Sequence, residues 1–218
     1  MNPFTSRLLL ATVASILCTS AMAASDLGGL CDGTHQVTVG EWAKFATDVP
    51  FLTDKLEARC AIVGTEAFDG KDHYWLEVDI PTPAGSMILQ FLIPEYPYDP
   101  STVRRTVAKM NPELPAMEYP QALGATMQPH DNLSDPIRRA CEAADSATKE
   151  SITVAGGTFE AFRIPLKRLA KVIWVSPDVP FGVVKLADAE GKGLELVAHG
   201  TGAKSSITET PQKMPGSP

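Results

Sequence analysis

The chain has 218 residues, 44% of them hydrophobic, with 19 Lys and Arg against 26 Asp and Glu and a net charge of −7. That balance argues against nucleic acid and against anionic membrane surfaces as partners, because both reward clustered Lys and Arg. The hydrophobic content is ordinary for a globular protein. In chain order, Asn2–Arg7 form a short, positively charged n-region, Leu8–Leu17 an apolar h-region, and Ala21-Met22-Ala23 a small-residue cleavage site. Residues 1–23 therefore predict a signal peptide cut after Ala23, and a mature protein that is periplasmic or secreted. Cys18 follows Leu17, where lipoprotein processing wants a small residue, so a lipid anchor is disfavoured. No second apolar run approaches ~20 residues, and no transmembrane segment is expected after cleavage.

Cleavage leaves 195 residues (218 less 23), one domain's worth, with Cys31, Cys60 and Cys141. Leu56, Ala58, Cys60 and Ile62 fall on one face at strand spacing, the setting of a buried structural thiol. Cys31 and Cys141 lie in polar, loop-like surroundings, which predicts a Cys31–Cys141 disulfide in an oxidising compartment.

Residues 24–38 read as an irregular arm. Strands are expected over Glu41–Ala46, Leu56–Ala67 and His73–Ile80, the last two joined by an Asp69-Gly70 hairpin turn. In His73–Ile80, Tyr74, Leu76, Val78 and Ile80 share one face, while His73, Trp75, Glu77 and Asp79 share the other. Met87–Ile93 is a near-continuous apolar run, hence a central strand. Residues 94–150 form a Pro-rich insert: Asp99-Pro100 predicts a helix over Pro100–Met110, and Ser134-Asp135-Pro136 another running to about Ala144. Residues 111–133 between them read as a long irregular loop. Strands resume with Ile152–Ile164, folded about a Gly156-Gly157 turn, then Val172–Ser176, Gly182–Leu186 and Leu194–His199. Residues 24–200 thus read as one β-rich domain, and the polar 201–218 as a disordered tail.

Several fragments taken together carry a resemblance: Val39-Gly-Glu-Trp42, Ala61-Ile-Val-Gly-Thr-Glu66, Tyr74-Trp-Leu-Glu77, Val154-Ala-Gly-Gly-Thr-Phe159, Trp174–Lys185 and Leu194-Glu-Leu196. The chain resembles secreted bacterial proteins of unknown function related to the DUF3108 and LolA/LolB-like periplasmic folds. The resemblance implies a mainly β (α+β) architecture: a curved antiparallel half-barrel around a helical insert, with acyl chains bound in the concavity. No lipoprotein-gripping Arg can be assigned from the sequence, so lipid carriage transfers only at fold level.

For covalent chemistry the signals are sparse. The sequence has no Gly-x-Ser-x-Gly elbow, His-Glu-x-x-His, Cys-x-x-Cys or P-loop. His35, His73, His130 and His199 are scattered, and no metal site or cofactor is expected. Glu66, Glu77 and Asp79 read as solvent-facing sheet residues, and Arg104-Arg105 and Arg138-Arg139 as charges offsetting nearby acids.

Aromatics give the best binding signal. Trp42, Trp75, Phe91, Trp174 and Phe181 are candidate lining residues for a lipid or other apolar small molecule, set against core filling as the default. Trp75 is singled out because it shares the polar face, where it would mark a covered binding surface or lie beneath the Pro-rich segment. The favoured reading is a non-enzymatic periplasmic protein binding an apolar ligand in a curved sheet. The alternatives are an envelope protein-interaction module docking through 111–133, and a hydrolase using His130 and Asp131.

Overall fold

The computed structural model describes residues 27–32, 37–48, 55–127 and 133–215. The leader, His35, His130 and Asp131 lie outside the described residues. Twelve strands form one sheet: β1 (Trp42–Thr47), β2 (Leu56–Phe68), β3 (Lys71–Thr82), β4 (Gly85–Ile93), β5 (Thr106–Lys109), β6 (Met117–Tyr119), β7 (Thr148–Val154), β8 (Gly157–Leu166), β9 (Lys171–Val175), β10 (Val183–Asp188), β11 (Gly193–Gly200) and β12 (Gln212–Lys213). The helices are short: α1 (Gly28–Cys31), α2 (Gln121–Thr126) and α3 (Ser134–Glu142).

Strand order is β12-β6-β5-β4-β3-β2-β1-β11-β10-β9-β8-β7. Two meanders, β1–β6 and β7–β11, meet where β1 pairs with β11. Neighbours are antiparallel except β12, which runs parallel to β6. The mainly β, few-helix class expected from the sequence is present, but the half-barrel is not: the sheet is neither closed nor curled, and β12 and β7 end an open ladder. Alternating faces report how many strands a chain has, whereas closure depends on which strands meet at the ends. The Pro-rich insert is not a plug in a concavity either, because it supplies β5 and β6 to the sheet itself.

The hairpin between β2 and β3 forms at Asp69 (φ 50°) and Gly70 (φ 74°), the doubly left-handed geometry for which Asp-Gly is suited. The helix expected over Pro100–Met110 stops after one 3₁₀ turn, Pro100–Thr102. Asp99 does cap it, its Oδ1 accepting from Ser101 N at 2.9 Å. Val103 then turns extended, and Thr106–Lys109 pairs with Ile88–Phe91 of β4. A β-branched segment beside an open strand edge gains more from the ladder than from a second helical turn. The second expected helix forms as α3, close to its sequence bounds.

The main core lies on one face. Phe45, Ile62, Leu76, Phe91, Ile164, Ile173 and Leu196 from the strands pack with Leu30, Tyr96, Ile137 and Phe181 from the segments over them. The Cys31–Cys141 disulfide forms as expected, with a Cα–Cα distance of 5.3 Å, and staples α1 to α3 across 110 residues of sequence. Closing a loop of that length is worth about 4–5 kcal/mol in the chain-entropy account. Reduction, or Cys31→Ser with Cys141→Ser, should lower urea-unfolding stability by roughly that amount; an unmoved midpoint would show that the staple contributes nothing.

Candidate functional site

The opposite face of the β2–β6 half carries the most unusual chemistry in the molecule. Register places Ala61, Glu77, Gln90, Val107 and Glu118 directly across five successive strands, with Arg59, Asp79, Ile88 and Lys109 in the adjoining row. Side chains alternate along each strand, so both rows point to the same face. This face is not solvated as the sequence suggested. Residues 201–215, read as a disordered tail, run across it as a strap, and Glu77 is 0% exposed.

The strap departs from β11 through a glycine contact. Gly40 (φ +95°) and Gly202 (φ +84°) adopt backbone that favours glycine, and a Cβ on Gly40 would sit 3.2 Å from Gly202 N. Ala203 N donates to Gly40 O at 2.9 Å, and Trp42 Nε1 donates to Thr201 O at 3.3 Å. Both oxygens of Glu77 are then filled. Oε1 accepts from Arg59 Nη2 (2.9 Å) and Ser206 Oγ (2.8 Å), and Oε2 from Gln90 Nε2 (2.8 Å) and Ser206 N (2.9 Å). Four donors match the four lone-pair sites of a carboxylate, two of them from the sheet and two from the strap. Gln90 Nε2 also donates to Ser205 Oγ at 2.8 Å.

Further along, Ile207 is buried with Ile88, Val107 and Ala116, and Trp75 packs against this second, smaller cluster. Glu209 accepts from Lys109 Nζ at 2.7 Å and from Ala116 N at 3.3 Å. Gln212 N and Met214 N donate to Ala116 O and Glu118 O, which makes β12 a parallel addition to β6. Beneath the strap, Arg105 grips Glu118 bidentately (2.6 and 3.0 Å) and also pairs with Glu66. Its guanidinium lies 5.3 Å from the centroid of the Trp75 ring, whose Nε1 donates to Glu66 at 3.1 Å. Hydrogen bonds from Arg105 to Glu118, and then to Glu66, raise the Arg105 pKa further.

The five aromatic candidates do not converge on one cavity. Phe91 and Phe181 fill the main core, where Tyr96 Oη donates to Phe181 O at 3.1 Å. Trp174 packs at the edge of that core and donates to Glu150 at 2.6 Å. Trp42 and Trp75 sit at the root and the middle of the strap. The cover over Trp75 is therefore the C-terminal segment, and α2 of the Pro-rich insert packs on β5 with Gly124 against Thr106. Within residues 111–127, 117–119 form β6 and Ala116 and Glu118 are buried, while Leu114 and Leu123 are exposed.

No concave sheet surface and no pocket suited to an apolar ligand is found among the described residues, which overturns the expectation of acyl binding in a curved sheet. Arg138 pairs with Asp99 (3.2 Å) and Arg139 with Asp135 (2.7 Å), as the charge-offset reading held. His73 is buried against Phe68, and its Nε2 has no hydrogen-bond partner among the described residues. Cys60 is free, and burial pushes its thiol up to about 12 despite the opposing pull of Arg59. Among the described residues no group of three His, Cys, Asp or Glu could hold a metal ion. The strap itself had a weak sequence signal: Ile207 is a lone aliphatic in a polar run, flanked by Ser205-Ser206 and Glu209.

No family model matches the chain, and no curated protein matches it.

Two outcomes test this arrangement. Glu77→Ala leaves Arg59, Gln90 and the strap donors without their shared acceptor, and should cost about 3–5 kcal/mol in urea unfolding; a loss under about 1 kcal/mol would mean the network is incidental. The pairing with Lys109 lowers the Glu209 pKa from 4.5 to about 2. A depressed folded-state pKa stabilises docking above about 4.5, and that contribution is lost as pH falls through about 2. Protection of the amides at 206–214, taken relative to their intrinsic exchange rates, should fall over that window in the wild type. With Lys109→Ala the onset should move upward, towards the ordinary carboxylate value.

Proposed function

We propose that this chain is an exported protein that acts by holding an extended polypeptide segment on the β2–β6 face, which its own C-terminal strap covers. Export is supported by the leader-like residues 1–23 and by the Cys31–Cys141 disulfide, which persists in oxidising compartments. Among the described residues no helix is long and apolar enough to cross a membrane.

The observation that carries the binding reading is Glu77. It is a fully buried carboxylate, and half of its hydrogen bonds come from one backbone N–H and one hydroxyl of a segment laid on from outside the meander. In the recognition of extended segments, main-chain pairing supplies affinity and side-chain pockets supply selectivity. The strap displays the chemistry that this face accepts: a hydroxyl residue on Glu77, an aliphatic residue at the next position, and an acid two further on against Lys109. When the strap leaves, Glu77 and Gln90 open to water, so the uncovered face does not carry an orphaned buried charge.

Tethering gives the strap an effective concentration in the mM range, so a peptide added to the wild type must compete with it. The test uses full-length Ser206→Pro/Ile207→Asp, which releases the strap, and a fluorescein-labelled peptide of residues 203–214. The peptide should bind this variant saturably and at least about tenfold more tightly than it binds the wild type. A folded variant that ignores the peptide, or that takes a scrambled peptide equally well, sinks the reading. Native-state exchange provides a check independent of variants: amides of Ser206, Gln212 and Met214 should open before those of β3 and β4. If they open only with global unfolding, the β2–β6 face never becomes available.

A further inference from the structure

A second recessed place lies on the other side of the molecule, away from the strap. It is a cleft of about 370 Å³ between the end of α3 and the turn joining β8 to β9. That volume falls in the range of small-molecule sites. One wall is acidic: Glu142 and Asp145 line it, and the last turn of α3 ends there, with Ala143 N bonded back to Arg139 O and Ala140 O. A helix C-terminus carries a partial negative charge, which adds to the two carboxylates. The facing wall is basic, formed by Lys167 and Arg168 in a 3₁₀ turn held by Ala170 in left-handed backbone (φ 51°). Leu166 and Leu169 supply apolar lining between the walls.

Arg139, the remaining cation of the cleft, is committed to Asp135 at 2.7 Å. Lys167 and Arg168 make no ion pair with any described residue, and no ion pair joins the two walls. Opposed charges held apart across a gap with apolar lining match a molecule that carries both charges itself. The acidic wall is also fixed in place, because Cys141, next to Glu142, is tied to Cys31.

The geometry points to a binding site for a small zwitterion with an aliphatic body, its ammonium against Glu142 and Asp145 and its anionic group against Lys167 and Arg168. A free α-amino acid and a phosphoethanolamine-type headgroup share this chemistry. Arg168 presents a planar donor fork suited to either a carboxylate or a phosphate.

The experiment titrates the full chain with L-leucine and, separately, with glycerophosphoethanolamine, reading amide chemical shifts. Isocaproate, which lacks the ammonium, and isoamylamine, which lacks the carboxylate, serve as single-charge controls. At least one zwitterion should saturate shifts around 142–146 and 166–169, and whichever binds more tightly identifies the source. Each single-charge analogue should bind at least about tenfold more weakly than L-leucine if the amino acid is that source. Lys167→Glu/Arg168→Glu and Glu142→Lys/Asp145→Lys should each weaken the bound zwitterion by at least about tenfold. These positions are exposed, so the variants should fold. The proposal is overturned if neither zwitterion saturates these shifts by about 10 mM. It is also overturned if L-leucine is the tighter zwitterion and its single-charge analogues bind as well, or if reversing either wall leaves the affinity of the bound zwitterion unchanged.

Discussion

A carboxylate with no access to water organises this protein. Glu77 sits in the middle of β3, and an isolated charge at such a depth would cost several kcal/mol. Arg59 and Gln90 from the neighbouring strands meet half of its need, and Ser206 meets the other half. Neither contribution suffices alone. The sheet cannot bury Glu77 without the strap, and the Glu77 acceptor pair fixes Ser206 between the strap's anchors at Gly40 and at Lys109. A buried polar cluster of this kind specifies register more than it adds net stability, since apolar residues of the same shape would pack at no electrostatic cost. Here it selects where a polar C-terminal segment lies on the sheet, a choice that Ile207 alone would leave loose.

The two faces of the β1–β6 half consequently follow different rules. One is a conventional apolar core roofed by α1, α3 and the segment around Tyr96 and Tyr98, with a disulfide fastening the roof. The other is a mosaic of ion pairs, amide bonds and a small aliphatic cluster, roofed by fifteen residues of extended chain (201–215). The first is held by burial, which is indifferent to direction. The second is held by directional bonds to particular donors, and such bonds can pass to any segment presenting the same donors. That difference makes the strap-covered face a place for recognition, while the core face is not.

Legibility from sequence followed the range of the interaction. The β2–β3 hairpin was readable because Asp69-Gly70 meets the turn's demand within two residues. The alternation of Tyr74, Leu76, Val78 and Ile80 correctly identified the core face. The disulfide was readable by contrast with Cys60, whose strand neighbours marked it as buried. The helix expected after Asp99 failed at its second turn, because pairing with β4 is a partner 15 or more residues away that no local cap reveals. Trp75 was rightly noticed as misplaced on a polar face, yet its covering element lay beyond residue 200, in a stretch whose composition reads as disorder. The aromatic set Trp42, Trp75, Phe91, Trp174 and Phe181 scattered because residue type reports size and not direction.

By itself, the sequence determined β1–β4 and β7–β11, the inward faces of β2 and β3 and the tight turns. All of these depend on periodicity or on neighbours within a few positions. Only the tertiary structure decided that the sheet stays open, that β5 and β6 extend it, that Glu77 is buried, and that the tail is a strap. Those outcomes rest on pairings between residues 129 and 159 positions apart, as at Glu77–Ser206 and Trp42–Thr201. Whether a polar residue ends in water or under a roof is settled by what the rest of the chain lays over it, and that information does not reside in the residue or its neighbours.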